Sequence, residues 1–240
     1  HAGAMPTLVS ANADLALRTA AGAHHYRLVG LEITMPSTVT FTGAIVSLVD
    51  GTGEQTTLAQ VPHHLILDRV YVHGHAGLNL SRCVALHSAT TAIIDSHLGQ
   101  CHGQGRDSQA IAGWNGPGPY KIANNHLEGA GENVMFGGAD PRIAGLVPSD
   151  IEIRRNYFYK PPSWRGVWTV KNLFELKNAQ RLLVEGNVFE NNWVDAQAGF
   201  ALTWKSVNQD GSGPWSTTRD VTFRYNIVRN SPRAFNLQAV

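Results

Sequence analysis

Asp107, Glu132 and Glu175 each lie in or just before a short apolar run: Ala110-Ile111-Ala112, Val134-Met135-Phe136 and Leu173-Phe174-Glu175-Leu176. Basic residues flank runs of the same kind. Arg82 precedes Val84-Ala85-Leu86, Lys171 and Lys177 bracket the run that holds Glu175, and Lys205 follows Phe200-Ala201-Leu202. If these runs are strands stacked in register, the charges share one face and line a mixed-charge groove. Such a groove suits elimination across the C4–C5 bond of a uronic acid, which needs the substrate carboxylate neutralised and the acidified C5 proton removed. Ca²⁺ held by Asp107, Glu132, Asn133 and Glu175 would meet the first need. Lys177 or Lys171, with a pKa lowered by burial beside other cations, would meet the second. Glu132 is a third catalytic candidate, and Arg82, His87, Trp114 and Lys205 are candidate substrate contacts.

Two other readings use the same residues. A glycoside hydrolase needs only two carboxylates, about 5–5.5 Å apart for retention or about 6.5–9.5 Å for inversion, and Asp107 with Glu132 could supply them. A solvated face whose charges merely pair with one another needs no ligand at all. Eleven histidines invite a metal reading. His73 and His75 end one strand, His63-His64 precede it, and His1 could chelate copper through a free amine. No Cys/His spacing matches a structural zinc site, so scattered surface histidines are the expectation. Trp114, Trp164, Trp168, Trp193, Trp204 and Trp215 fall in or beside loops, where they either stack on sugars or pin the loops. Pinning is expected for Trp164 and Trp215, which lie near prolines.

The elements that must position these residues follow from a repeat. Ile151-Glu152-Ile153-Arg154-Arg155-Asn156-Tyr157-Phe158, Leu182-Leu183-Val184-Glu185-Gly186-Asn187-Val188-Phe189 and Val221-Thr222-Phe223-Arg224-Tyr225-Asn226-Ile227-Val228 share one pattern, and Lys121–Leu127 is a fourth copy around Asn125. Weaker copies surround Ser96, Arg69 and Gly30. These anchors at 30, 69, 96, 125, 156, 187 and 226 are spaced by 39, 27, 29, 31, 31 and 39 residues. Alternation with period 2 and a spacing near 30 excludes helical repeats and fits an all-β coil of three short strands per turn, a right-handed parallel β-helix of about seven coils. Stacked asparagines would serve backbone groups left open by a sharp bend and adopt the left-handed conformation such bends need. The second strands of each coil carry the candidate site. The chain reads as one domain over 1–240, with residues 1–60 less regular and 36–60 a partial coil.

Composition bounds the rest. Net charge is +1 from 19 basic and 18 acidic residues, too little field for nucleic acid or an anionic membrane, and no apolar run is long enough to span a bilayer. The start lacks a signal-peptide layout, and Ala234-Phe235-Asn236-Leu237 breaks off without a polar cap. An excerpt of a longer chain is therefore expected, whose open strand edges could pair end to end with another copy. Cys83 and Cys101 are compatible with a bridge, but two buried free thiols are the simpler expectation.

Three runs carry a family likeness: Asp107-Ser108-Gln109-Ala110-Ile111-Ala112-Gly113-Trp114-Asn115-Gly116-Pro117-Gly118-Pro119, Glu128–Asp140, and Asn172-Leu173-Phe174-Glu175-Leu176-Lys177-Asn178. They resemble secreted bacterial parallel β-helix proteins of the pectate-lyase-like superfamily. The strand Phe174–Asn178 followed by Glu185-Gly186-Asn187 also looks like the Glu-x-Lys-Ser strand and Asn turn of alginate and chondroitin lyases. That resemblance implies Glu175 as an ion ligand, Lys177 as the base, an acidic polysaccharide as partner, and a secreted, extracellular or periplasmic setting. Asn178 stands where those lyases have Ser, and no arginine on the next coil matches their catalytic one, Lys205 being the nearest basic residue. A non-catalytic solenoid that binds glycans or builds an extracellular assembly is the alternative.

Overall fold

The computed structural model describes residues 4–238, so His1, raised above as a chelator, lies outside the described residues. The described chain winds through three parallel sheets. Sheet 1 runs from Thr7–Val9 through Glu32–Thr34, Tyr71–His73, His97–Cys101, His126–Gly129, Tyr157–Tyr159 and Val188–Glu190 to Ile227–Arg229. Sheet 2 runs from Leu17–Arg18 through Phe41–Leu48, Asn79–Leu86, Gln109–Gly113, Glu132–Phe136, Phe174–Leu176 and Phe200–Lys205 to Arg233–Gln238. Sheet 3 holds His24–Val29, His63–Asp68, Ala89–Ile94, Tyr120–Ala123, Ser149–Arg154, Ala179–Glu185 and Thr218–Arg224. Each strand pairs in parallel with its copies one turn away. With crossovers of the usual hand this is the right-handed parallel β-helix expected from the repeat.

Alternation along each strand sends every second side chain inward, where copies from successive coils stack. One inward column is Ile33, Val72, Leu98, Leu127, Phe158, Phe189 and Val228, each in register with the next. The Phe158 and Phe189 rings lie 4.4 Å apart within it. Residues 36–60, expected as a partial coil, contribute the full strand Phe41–Leu48, registered on Asn79–Leu86. Weak alternation there hides a regular element because small and polar residues (Thr42, Gly43, Ser47) replace the larger apolar ones.

The amide ladder exists, with a corrected register. Asn125 Nδ2 donates to Asn156 Oδ1 at 2.9 Å, Asn156 to Asn187 at 3.0 Å and Asn187 to Asn226 at 2.9 Å. Each Oδ1 also accepts the backbone N–H of the preceding asparagine, and Ser96 caps the row by giving its N–H to Asn125 Oδ1. The left-handed residue of each bend is the one before: Gly30, Arg69, Asp95, Asn124, Arg155, Gly186 and Tyr225 all have φ between 51° and 67°. Gly30 and Arg69 therefore belong to that column, and Leu31 and Val70 fill the ladder position in their coils. The asparagines supply hydrogen bonds rather than the left-handed bend itself.

Cys83 and Cys101 form a disulfide with a Cα–Cα distance of 5.6 Å, which replaces the expected free thiols. The inward strand positions of 83 and 101 meet because the chain between them completes most of one winding. Trp164 and Trp193 are buried with Val170 and Ala130 in a small satellite core, and Trp215 Nε1 donates to the Leu146 carbonyl at 2.9 Å. These indoles pin loops, as expected for Trp164 and Trp215.

Candidate functional site

Two columns of sheet 2 build the site. Arg82, Gln109 and Glu132 are in register on three successive coils. Three positions further along, Met135, Glu175 and Thr203 form a second row. Glu175 projects from the outer face because Phe174 and Leu176 on either side of it are committed to the core. The loop after Tyr159 returns Lys171 and Asn172 to the same place, while Lys177 and Lys205 come from the ends of their strands.

The charges meet there. Lys171 Nζ is hydrogen-bonded to Asp107 Oδ1 and lies 3.9 Å from Glu132 Oε1. Lys177 and Lys205 approach Glu175 Oε1 at 3.7 and 3.9 Å, and Asn172 Nδ2 donates to Glu175 Oε2 at 2.8 Å. Gln109 Nε2 donates to Glu132 Oε2 at 2.7 Å. Both carboxylates are almost completely covered, at 1% exposure each. Burial, then the neighbouring Glu175, pushes the Glu132 carboxyl upward against the pull of Lys171 and Gln109. Lys171 moves the other way from the base it was expected to be: burial disfavours its charge, but Glu132 and Asp107 outweigh burial and raise its pKa. It is a fixed cation. Glu132 is the group whose proton is held toward neutral pH.

Several covered polar atoms in this patch have no hydrogen-bond partner among the described residues: Glu175 Oε1, Asn172 Oδ1, Gln109 Oε1 and Arg82 Nε. Native proteins leave few such atoms, so this group is open to hydrogen bonds from a polar ligand or from water.

The donor set does not suit Ca²⁺, which takes six to eight oxygens. Asp107 is held by Lys171, Glu132 by Gln109, and Glu175 by Asn172, with ammonium groups standing between the acids. Asn133, expected as a fourth ligand, turns into the coil corner and donates to the Leu127 and Tyr159 carbonyls at 2.6 and 2.9 Å. It is scaffold.

Of the expected substrate contacts, Arg82 and Trp114 lie together, the guanidinium 4.7 Å from the indole centroid. His87 packs on the same indole at 4.3 Å, and its Nδ1 accepts the N–H groups of Trp114 and Asn115. Burial, then the nearby Arg82 charge, lowers its pKa to about 3. His87 is therefore a neutral support for Trp114 rather than a charged contact. Asp50, Asp140, Arg142 and Asp210 line a cavity of about 290 Å³ beside it.

Lys160 is the residue that sequence reasoning missed. It is fully buried, and its ammonium serves the carbonyls of Gly129, Ala130 and Gly131, the turn that leads into Glu132. Burial pulls its pKa down and the Glu132 charge pulls it back. The signal was faint, a lysine between a strand and Pro161-Pro162.

No protein-family model matches the chain, and no curated protein does. Among solved structures it is similar to the Dettilon tailspike protein (gp208), at 13% identity over 98% of this chain and 54% of that one, with a TM-score of 0.43. The chain thus spans about half the length of that tailspike. A second likeness, at 9% identity and a TM-score of 0.30, is to a trypsin-treated variant of QnrB1, a plasmid-mediated fluoroquinolone resistance protein, over 94% and 92% of the two chains.

Proposed function

We propose that the protein is a carbohydrate-active solenoid that binds a uronic-acid polysaccharide along the outer face of sheet 2 and cleaves it by β-elimination. The observation that carries this reading is the group of unpartnered polar atoms between two covered carboxylates and three lysines. Lys171 and Lys205, beside the two covered carboxylates, would neutralise the uronate carboxylate and the negative charge that grows on it as C5 loses its proton, and Arg82, further along the patch, would meet the carboxylate of a neighbouring sugar. Lys177, at the end of the strand that holds Glu175, would take that proton. The electron pair of the C5–H bond becomes the C4=C5 double bond, and the C4–O4 bond breaks. Glu132, held protonated by its surroundings, would deliver a proton to the departing oxygen. Trp114, backed by His87, offers a flat face for a neighbouring sugar. A place in the pectate-lyase-like superfamily and a secreted setting belong to the same proposal, the latter supported by the disulfide, since such bridges persist in oxidising compartments.

The test is a panel of polygalacturonate, alginate and glycosaminoglycans, read by absorbance near 235 nm, where the new double bond absorbs. The expected result is a rise with one of them that Lys177→Ala and Glu132→Gln each abolish. New reducing ends without that rise would instead favour hydrolysis, a reading supported by two carboxyls whose environments push one of them toward its protonated form. Glycan binding with no product of either kind would leave a binding solenoid and remove the catalytic reading.

A further inference from the structure

We propose that His24, His25, His63 and His64 form a binding site for a divalent transition-metal ion of the Zn²⁺ or Ni²⁺ kind on the outer face of sheet 3. Two adjacent coils present the same His-His pair at the same place, His24 in register with His63. Neighbouring strand residues normally point to opposite faces. Here His25 and His64 have φ of 61° and 54°, and this left-handed step turns the second ring of each pair to the side of the first. The Nδ1 atoms within the pairs are 2.8 and 2.7 Å apart. Between coils the rings stack, His24 on His63 at 5.0 Å and His25 on His64 at 4.4 Å. Ring nitrogens of His25, His63 and His64 all fall within 4.8 Å of one another, and His24 stands against them as a fourth imidazole.

The scaffold does not ask for histidine here. The same two columns continue as Ala89-Thr90, Ser149-Asp150, Gln180-Arg181 and Arg219-Asp220 on other coils, with the left-handed step kept at Thr90, Asp150, Arg181 and Asp220. Imidazole nitrogens suit zinc, nickel and copper, and nitrogens on one tetrahedral zinc ion, with bonds of about 2.0–2.1 Å, stand about 3.3 Å apart. The rings need to open by about half an ångström to seat it. An open groove of about 570 Å³, lined by His25, His64, Tyr26, Arg27 and Lys121, gives the ion and an added ligand an approach. A second group, His97, His126 and Glu128 on sheet 1, also has converging ligand atoms. It is more enclosed, and its atoms are already engaged, His126 Nε2 with Glu128 at 3.1 Å and Glu128 with the Gln100 N–H at 3.2 Å.

Calorimetric titration of the full chain with Zn²⁺ at pH 7.5, repeated with Ni²⁺, tests the site. One ion is expected to bind through these residues, with binding lost in His63→Ala and in His64→Ala and weakened about tenfold in His24→Ala. Acidification to pH 5 should release it, because imidazole must be deprotonated to bind. These side chains lie at the surface, so circular dichroism should confirm that the variants fold; His63→Gln provides a second variant of similar size. Unchanged binding in His63→Ala and His64→Ala, or binding lost in His126→Ala instead, would overturn the proposal. Neither outcome depends on glycan cleavage, so this site and the sheet 2 reading can fail separately.

Discussion

At the scale of single residues, Glu132 and Lys160 hold the sharpest electrostatic conflict in the protein. Both are buried, and the Glu132 charge holds the Lys160 pKa up against burial. Glu132 has its folded pKa raised, so the folded state holds its proton where the unfolded chain has released it. The stability this gives is complete below the unfolded carboxyl range, near pH 4.3, and is lost as pH rises through the folded pKa. Glu132→Gln removes that loss. It also takes from Lys160 the charge that held its pKa up, so a folded lysine that deprotonates more readily adds stability with rising pH. Both effects have the same sign: the stability of Glu132→Gln relative to the parent should climb from pH 5 to pH 8 in urea unfolding. A relative stability that falls over this range would mean that the carboxylate is held by its surroundings in the charged form. Asp107, Glu132, Glu175 and the lysines were legible from the sequence because flanking residues of equivalent strands must share a face. Asn133 was misplaced because the strand departs from simple alternation there, and Lys160 because its partners are backbone carbonyls, which no residue pattern reveals.

At the scale of the element, the bend between sheets 3 and 1 depends on a division of labour between two neighbouring columns. One column supplies the left-handed residue and the other an amide that bridges coils. Where the amide is Asn the bend can be read directly, which is why the anchors from 96 onward fall in the right place. Where Leu31 and Val70 take its place, only the left-handed column remains to mark the bend. That column accepts Gly, Arg, Asp, Asn or Tyr, so the anchor slips by one. The ladder is also cooperative. Asn156 accepts the N–H and the side-chain amide of Asn125 and donates to Asn187 and to the Ile122 carbonyl at 2.8 Å. Asn156→Ala would take the acceptor from the Asn125 N–H and side-chain amide and the donor from Asn187 Oδ1 and the Ile122 carbonyl, and should cost about 2–4 kcal/mol in urea or thermal unfolding. Asn226, at the half-buried end of the row, should cost about 1 kcal/mol. Equal losses at the two positions would mean that the row acts by size and shape rather than by hydrogen bonding.

At the scale of the whole molecule, strand pairing joins each coil only to the coils before and after it, with a few loop contacts such as Lys171–Asp107 reaching one coil further, so stability should be close to a sum of coil and neighbour terms. The disulfide makes this testable. Cys83 and Cys101 close a loop across one winding near residues 79–101, far along the axis from the strands Ala179–Glu185 and Thr218–Arg224. A cross-link over a loop of this length is worth about 3 kcal/mol, and the energy acts on the segment whose unfolded freedom it limits. In a Cys83→Ala/Cys101→Ala variant, hydrogen exchange should quicken in Asn79–Leu86, Ala89–Ile94 and the paired strands Gln109–Gly113 and Tyr120–Ala123. Strands beyond residue 179 should keep their protection, because their neighbours are untouched. A uniform loss along all three sheets would show instead that the coils unfold as one unit. The carboxylates of the sheet 2 site lie between these regions, on coils starting at Gln109, Glu132 and Phe174. If stability is local, loosening the winding around the disulfide should reach Arg82 and Gln109 while leaving Glu175, Lys177 and Lys205 in place. Substrate binding at one end of the patch would then weaken without disturbing the carboxylate at the other.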